Sequence, residues 1–590
     1  MRNAPRLAVP RQPVSARRHK AATLAAILPW LLAGLILALS LWRLVGLDHL
    51  LVWHDEVFTL IRVLGQTALE VNQRLFSATL LSPAQVLAFQ QGSANTWTAT
   101  LTALMRHPEH PPLYYLLARA LMALPLDPVI AMRGVSAGFG MLLPLAAFWL
   151  MQEVFGAGKG ERAWLRPLVW PAPWLAALLV AASPLHLLYA QEGRQYALWT
   201  LLVVVASATL MRALRTRQQL AWIGYAAALS LALYTHLLSL LLIPLHAFYG
   251  LLASTRETGW KIDWKAGWKW GWRQARQPLV QRFALAVGVA LLLFSPWLVL
   301  MVVAADQVNQ FTSWMQRPIT LEQILLAWRD HLTRVFIDIR TMTTGSGVPT
   351  WTALMLLPVA LALGHYLYRA PRPAAWFLPL LALVFIGVVL GPDLLLGGSR
   401  SLHPRYALPS LLALQLMLAW SLGQALTGAS TLWRAGAGIA LASLLGAGLW
   451  SFTVIHHAET WWNKNFSAGN RAVAQRINQA PAPLVLVSPS SVGTGELLSL
   501  AYHLAPQVRI WGELQTGDGA DTGTGASRLL PDGFASYFAL TPSTNLKTAV
   551  QPLGLKPLPG HWQWFQALPS SAMPGETRNL TPEQGSRSQE

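Results

Sequence analysis

The 590-residue chain has no cysteine, which excludes disulfides, thiolate metal sites and cysteine nucleophiles. It is also poor in charge, with 12% Asp, Glu, Lys and Arg together, against about 25% in a soluble domain. That shortfall excludes an ordinary water-facing surface over most of the chain, and the 54% hydrophobic content points to lipid as the solvent. Acidic residues are scarcest, 25 against 44 Lys and Arg, for a formal net charge of +19. In a soluble protein such an excess suggests nucleic acid. Here the basic residues cluster between apolar runs, where they set membrane orientation, and no nucleic-acid partner is expected. An internal repeat and a nucleotide-sugar motif are both absent. Tryptophan is abundant instead, at 28 residues, and indole rings favour the membrane-water boundary.

The pattern predicts an all-α polytopic transmembrane protein. Arg2, Arg6, Arg11, Arg17, Arg18 and Lys20 form a basic cytoplasmic N-terminus, 1–20, ahead of an apolar run at 21–47 that is too long for a signal-peptide core. Further spans are expected near 129–151, 172–190, 197–213, 220–238, 240–254, 283–303, 351–369, 374–391, 405–425 and 435–455, about eleven helices in all. The segment 111–126 is shorter than the roughly 20 residues needed to cross a bilayer and is placed on the membrane surface. That choice puts Lys159, Arg162, Arg166, Arg212, Arg215, Arg217, Arg369, Arg372 and Arg434 inside, as the positive-inside rule requires. Trp260, Trp264, Trp268 and Trp272 repeat every four residues beside Lys261, Lys265, Lys269 and Arg273, the pattern of an interfacial anchoring helix within 256–282. The transmembrane region is taken as 21–455, with an extracytoplasmic loop at 48–128. A small extracytoplasmic α/β domain follows at 456–575, built from a helix at 466–479, a strand at 484–487 and a helix at 496–504, with a loop from about 512 and a disordered tail at 576–590.

Four clusters on the extracytoplasmic side bear chemistry. Trp53-His54-Asp55-Glu56 sets two carboxylates and an imidazole where the chain leaves the bilayer, either as a general base or cation ligand or as a charge pair ending a helix. His107-Pro108-Glu109-His110-Pro111-Pro112-Leu113-Tyr114-Tyr115 opens the surface segment; its prolines rigidify the entry and hold His110 at a cavity edge. Gln191-Glu192-Gly193-Arg194-Gln195-Tyr196 lies at the end of one span and the start of the next. Arg194 suits a phosphate through its planar fork, or snorkels to headgroups. In Arg400-Ser401-Leu402-His403-Pro404-Arg405-Tyr406, the positive charge runs against the positive-inside bias and invites a lipid phosphate. Asp306, Asp330, Asp338 and Arg340 read as solvated loop residues.

The Asp-Glu pair in the first extracytoplasmic loop, HPPLYY, QExRxYAL and the late RYALP, in this order, resemble the GT-C superfamily of membrane glycosyltransferases. The resemblance is strongest to the family 39-like group, which includes relatives of protein O-mannosyltransferases and of the lipid A aminoarabinose transferase, and it covers about residues 20–425. It implies a GT-C-like fold and a polyprenyl-phosphate sugar as donor. It also implies transfer with inversion to a glycan, lipid or protein acceptor on the extracytoplasmic face. Asp55 would be the general base, and Glu56 would orient it or help hold a divalent cation. Arg194 and Arg405 would bind the departing phosphate, supported by Tyr196, Tyr406 and His403. His54, His110, Tyr114, Glu192 and Arg400 join the substrate-binding set. A polytopic lipid or polysaccharide transporter is the competing reading.

Overall fold

The computed structural model describes residues 14–91, 96–156, 170–257, 277–339, 348–371, 374–514, 530–561 and 563–567. The Trp stripe at 260–273, the loop carrying Lys159, Arg162 and Arg166, residue Arg340 and the tail at 576–590 lie outside these residues. Eight described helices are long and apolar enough to cross a membrane: Ala26–Leu44, Pro128–Phe155, Tyr196–Thr216, Pro278–Val303, Thr350–Arg369, Ala375–Leu395, Leu408–Thr427 and Thr431–His456. The chain is an integral membrane protein of mostly helical architecture with a C-terminal α/β unit.

The three remaining expected spans take other forms. The 172–190 stretch is a pair of helices, Ala172–Ala181 and Pro184–Ala190, bent by 57°. Pro184 has no N–H to give and its ring clashes with the preceding turn, so the helix breaks there. The carbonyl freed at Val180 accepts from Arg43 Nη2 at 3.0 Å, and Arg43 Nη1 donates to Leu39 O at 3.0 Å. Gln191 Nε2 donates to Val45 O at 2.9 Å and ties the far end of the bent pair to the chain that follows the first span. The 220–238 and 240–254 stretches are shorter helices, Gln219–Leu233 and Leu237–Leu252, separated by the extended residue His236. The 111–126 segment contains a helix at Leu113–Leu121 of nine residues. At 1.5 Å per residue it covers roughly 14 Å, about half a hydrocarbon core.

At the same end of the bundle as this short helix sits a six-stranded mixed sheet of order β1-β3-β2-β4-β6-β5. Its strands are β1 (Leu80–Leu81), β2 (Pro483–Val487), β3 (Arg509–Gly512), β4 (Ser536–Leu540), β5 (Leu555–Pro557) and β6 (Trp564–Ala567). The parallel centre, β3-β2-β4, pairs Val485 with Ile510 and with Phe538. β2 is buried along its whole length, as a centre strand covered on both faces must be. Two expectations change here. The second helix of the tail is Ser491–Leu500, earlier than 496–504, because Ser490 Oγ accepts the Gly493 N–H at 2.8 Å and caps it. The sheet also crosses the expected boundary at 456: β1, from the 48–128 segment, pairs Leu80 with Trp511 and Leu81 with Ile510. The 304–350 segment is partly helical, at Ala305–Thr312 and Leu321–Arg334.

Gly448, on the helix Thr431–His456, lies where an added Cβ would strike the Ala182 carbonyl oxygen beside the bent pair. We predict that Gly448→Val lowers stability by about 1–3 kcal/mol through overpacking against backbone. The thermal unfolding midpoint in detergent checks this; an unchanged midpoint would show that the helices do not approach so closely.

Candidate active site

The helix His54–Val63 begins at Trp53, whose extended backbone (φ −109°, ψ 172°) lets its N–H donate to Glu56 Oε2 at 3.4 Å. Two acidic residues in the first turn suit the positive end of a helix dipole. From that turn Asp55 and Glu56 diverge. Asp55, Thr59 and Arg62 fall at i, i+4 and i+7 on one face, whereas Glu56 turns inward.

Glu56 is fully buried and saturated. Oε1 accepts from Arg133 Nε at 2.8 Å and Gly193 N at 2.7 Å; Oε2 accepts from Arg133 Nη2 and Lys464 Nζ, each at 2.7 Å. Arg133 spends its other bonds on Leu47 O, Leu50 O and Leu51 O, at 2.7, 2.9 and 3.0 Å. Burial alone would raise the Glu56 pKa, but Arg133 and Lys464 hold it at about 2. Its partner group includes Glu192, whose Oε2 accepts from Asn463 Nδ2 at 2.7 Å and whose pKa burial pushes up.

Around Asp55 the balance is opposite. Its Oδ2 is paired with Arg405 Nη1 at 2.7 Å, and its side chain keeps 21% exposure. Arg194 Nη1 donates to Thr59 Oγ1 at 3.1 Å and to Asp55 O at 3.3 Å. Arg62, on the same helix face, is buried, with the charges of Glu109, Arg194 and Asp55 acting on it. The Nε atoms of Arg62, Arg194 and Arg405 are buried and without hydrogen-bond partners, as is the Tyr115 hydroxyl. Aromatic faces confine these cations: Tyr196 lies 5.9 Å from Arg194 and 5.8 Å from Arg405, and Tyr406 lies 5.3 Å from Arg405. His403 packs edge-on against Trp314, and burial brings its pKa down to about 3, so the ring is neutral. Burial opposes ionisation of Asp55, yet Arg405 and Arg194 hold its carboxyl at about 2.

Asp55, Arg194, Tyr196, Arg405 and Tyr406 therefore converge. His110 joins the rim, 3.7 Å from Glu109 Oε1, and burial beside Arg62 and Arg194 keeps it neutral. Other expected residues face elsewhere. The Tyr114 hydroxyl is used up on Met132 O and Ser136 Oγ, at 2.9 and 3.0 Å, so Tyr115 is the tyrosine with a free hydroxyl. Arg400 donates to Asp393 Oδ1 at 3.0 Å, which answers its charge within the fold. His54 turns to the C-terminal unit, 3.6 Å from Glu496. Asp330 and Asp338 are not solvated. Both are buried, Asp330 with Arg329 at 2.6 Å and Arg334 at 3.7 Å, and Asp338 accepting from Trp461 Nε1 and Trp462 Nε1 at 2.8 and 2.6 Å. The helix Leu321–Arg334 packs Asp330 inward, which a loop reading of that segment could not anticipate.

Neither carboxylate fits a divalent cation, which needs several oxygen ligands at once. Glu56 is occupied by two cations and Asp55 by a third, and among the described residues no three His, Asp or Glu side chains group as a metal site. Arg62, Arg133, Asn463 and Lys464 were not anticipated. Arg62 carried a usable signal, its i+7 spacing from Asp55 inside an apolar run. The other three are polar residues whose partners are 77 or more positions away.

No family model matches the chain, and no curated protein does. Among solved structures, the chain is similar to ArnT from Cupriavidus metallidurans, in the apo state and bound to undecaprenyl phosphate. In both cases identity is 15% and the TM-score 0.49, covering 92% of this chain and 98% and 99% of those chains. It is also similar to an Archaeoglobus fulgidus oligosaccharyltransferase tethered with an acceptor peptide, at 13% identity and TM-score 0.42, over 81% of this chain and 64% of that one.

Removing Glu56 strands Arg133 and Lys464 in a dry site, so Glu56→Ala is predicted to cost about 3–5 kcal/mol. Its folded pKa is depressed, so its contribution is complete above pH 4.5 and fades as pH falls through about 2. The wild type should therefore lose this stability on acidification over that window, and the variant should lack that component. Thermal melts across pH read both; parallel melting curves would sink the assignment.

Proposed function

We propose that the chain transfers a sugar, with inversion, from a polyprenyl-phosphate donor to a glycan, lipid or protein acceptor. The reaction takes place on the extracytoplasmic face of the membrane, with the N-terminus cytoplasmic and the 48–128 segment and C-terminal unit outside. One observation carries this reading. Three guanidinium groups, Arg62, Arg194 and Arg405, gather around the Asp55 carboxylate, and with Glu109 counted beside Arg62 they keep an excess of one positive charge. A polyprenyl-phosphate sugar is a phosphodiester with one negative charge, and its leaving phosphate gains a second as the bond to the sugar breaks. Preplaced donors favour the state in which that charge has developed. The ordered motifs of the sequence support the same reading.

Asp55 takes the proton of the acceptor hydroxyl or amine as that atom attacks the anomeric carbon, opposite the phosphate. The carbon–oxygen bond to the phosphate breaks, and its electron pair leaves on the lipid phosphate, held by Arg194 and Arg405. Arg405 links the two events. While it is paired to Asp55 that carboxylate is a weak base, and a phosphate that takes up the Arg405 fork restores its basicity. Glu56, saturated by cations, orients the turn and takes no proton.

With radiolabelled polyprenyl-phosphate sugars and protein in lipid nanodiscs, Asp55→Asn is expected to lower turnover about 10²–10⁴-fold, the usual contribution of a general base, while lipid-phosphate binding persists. Absence of turnover by wild type with every donor, despite lipid-phosphate binding, would favour a transporter. The acid limb of kcat/KM supplies a second check. In the wild type the Asp55 carboxyl is held at about 2, so the free enzyme stays competent well below neutrality. Arg405→Gln removes the main cation, and burial then dominates, so the limb should rise toward pH 4 or above; a limb that stays in place would rule out Asp55 as the base.

A further inference from the structure

The seven residues Trp461 to Ser467 join the last long helix to the C-terminal α/β unit. They thread through the active end of the bundle as a strap. Trp461 and Trp462 hold Asp338, and Arg334 stacks 4.0 Å over the Trp462 ring. Asn463 Nδ2 reaches Glu192 at 2.7 Å and Lys464 Nζ reaches Glu56 at 2.7 Å. Phe466 stacks on His54 with ring centroids 5.5 Å apart, and Ser467 Oγ accepts the His54 N–H at 3.0 Å.

Lys464 is the member whose presence demands an explanation. A fully buried ammonium is costly unless its charge is answered. Glu56 is already neutralised by the two bonds of Arg133, so Lys464 is superfluous for that pair alone. Its charge is balanced only when Glu192, which acts on it electrostatically, is counted as well. The four groups Glu56, Arg133, Glu192 and Lys464 then sum to zero, and the strap reaches both carboxylates by direct bonds, Lys464 to Glu56 and Asn463 to Glu192. Glu56 adjoins Asp55 in the chain, and Glu192 precedes Arg194 by two residues.

We propose that Lys464 is a positioning residue. Bonded to Glu56 and next in the chain to Asn463, which holds Glu192, it fixes the turn that carries Asp55 against the loop that carries Arg194, so that the strap completes the site for catalysis. This rests on the glycosyl-transfer reading for its kinetic consequence, but not for the linkage itself.

Full-length wild type, Lys464→Met and Lys464→Arg, in lipid nanodiscs, distinguish the two. Amide hydrogen exchange measures the linkage without any donor: Lys464→Met should lose protection in both 53–57 and 191–195, and Lys464→Arg should retain it. Turnover with the radiolabelled donor panel measures the consequence: Lys464→Met should lower kcat at least tenfold with donor KM within about threefold, and Lys464→Arg should recover most of kcat. The Met variant keeps Glu56 paired to Arg133; the double variant Lys464→Met, Glu192→Gln removes both remaining charges and serves if the single variant does not fold. That double variant should melt near wild type yet stay slow. Unchanged exchange in either segment, wild-type kcat in a Met variant, or a loss that Arg does not recover and that tracks the melting temperature would each overturn the proposal. A wild type that turns over no donor would refute the transferase reading, while the exchange data would still decide the linkage.

Discussion

The Glu56 carboxylate is the interaction on which the active end of this protein depends. Two oxygens buried from water collect a bidentate arginine, a lysine, a backbone N–H from the 191–195 loop and the N-cap amide of their own helix. Four chain segments separated by up to 408 residues meet there. Burying one carboxylate among these groups is favourable only because every lone pair finds a donor; removing any cation leaves an uncompensated charge in low dielectric. Arg133 extends the same constraint to the backbone, since its other donors gather the carbonyls of Leu47, Leu50 and Leu51 and so fix how the chain leaves the first helix.

That balanced group stands next to an unbalanced one. Asp55 and Glu56 are neighbours in sequence, but the helix turn sends them to opposite electrostatic environments. At Glu56 and its partners positive and negative charges cancel, and the geometry is rigid. At Asp55 three guanidinium groups share two carboxylates, Asp55 and the Glu109 that acts on Arg62, and the Nε atoms of all three are without partners. The first arrangement needs nothing further. The second is complete only with an anion in it, which is why the proposed reaction is placed there.

Much of this was legible in the sequence and some was not, for reasons that differ by residue. The apolar runs predicted where helices lie, because a bilayer imposes length and composition on each one. Their shapes were less legible: the bend at Pro184 depends on Arg43 filling the break from another helix. Asp55, Arg194 and Arg405 stood out as charges at the ends of apolar runs, where a charge is expensive. The same rule also selected Arg400, whose charge is met by Asp393 seven residues earlier, a pairing that composition does not reveal. Asp338 read as solvated because the two tryptophans of the strap are brought to it by tertiary packing, whereas Asp330 is met locally, by Arg329 and Arg334.

The hardest feature to read was the dependence of one segment on another. A compositional boundary at 456 is expected between an apolar part and a polar part of the chain. In packing terms it is not a boundary. The sheet takes its edge strand β1 from the 48–128 segment, Gln90 Nε2 donates to Leu498 O at 2.9 Å, Thr494 Oγ1 donates to Asn72 Oδ1 at 2.8 Å, and Ser499 Oγ donates to Val52 O at 2.6 Å. Gly495 lies where an added Cβ would collide with the His54 ring, so the helix Ser491–Leu500 is seated on the first turn of the Asp55 helix as closely as backbone allows. A unit attached so closely to the residue beside Asp55 cannot shift without moving that turn. Its seating and the Glu56 network act on the same few residues from two sides, and the position of Asp55 is the common result.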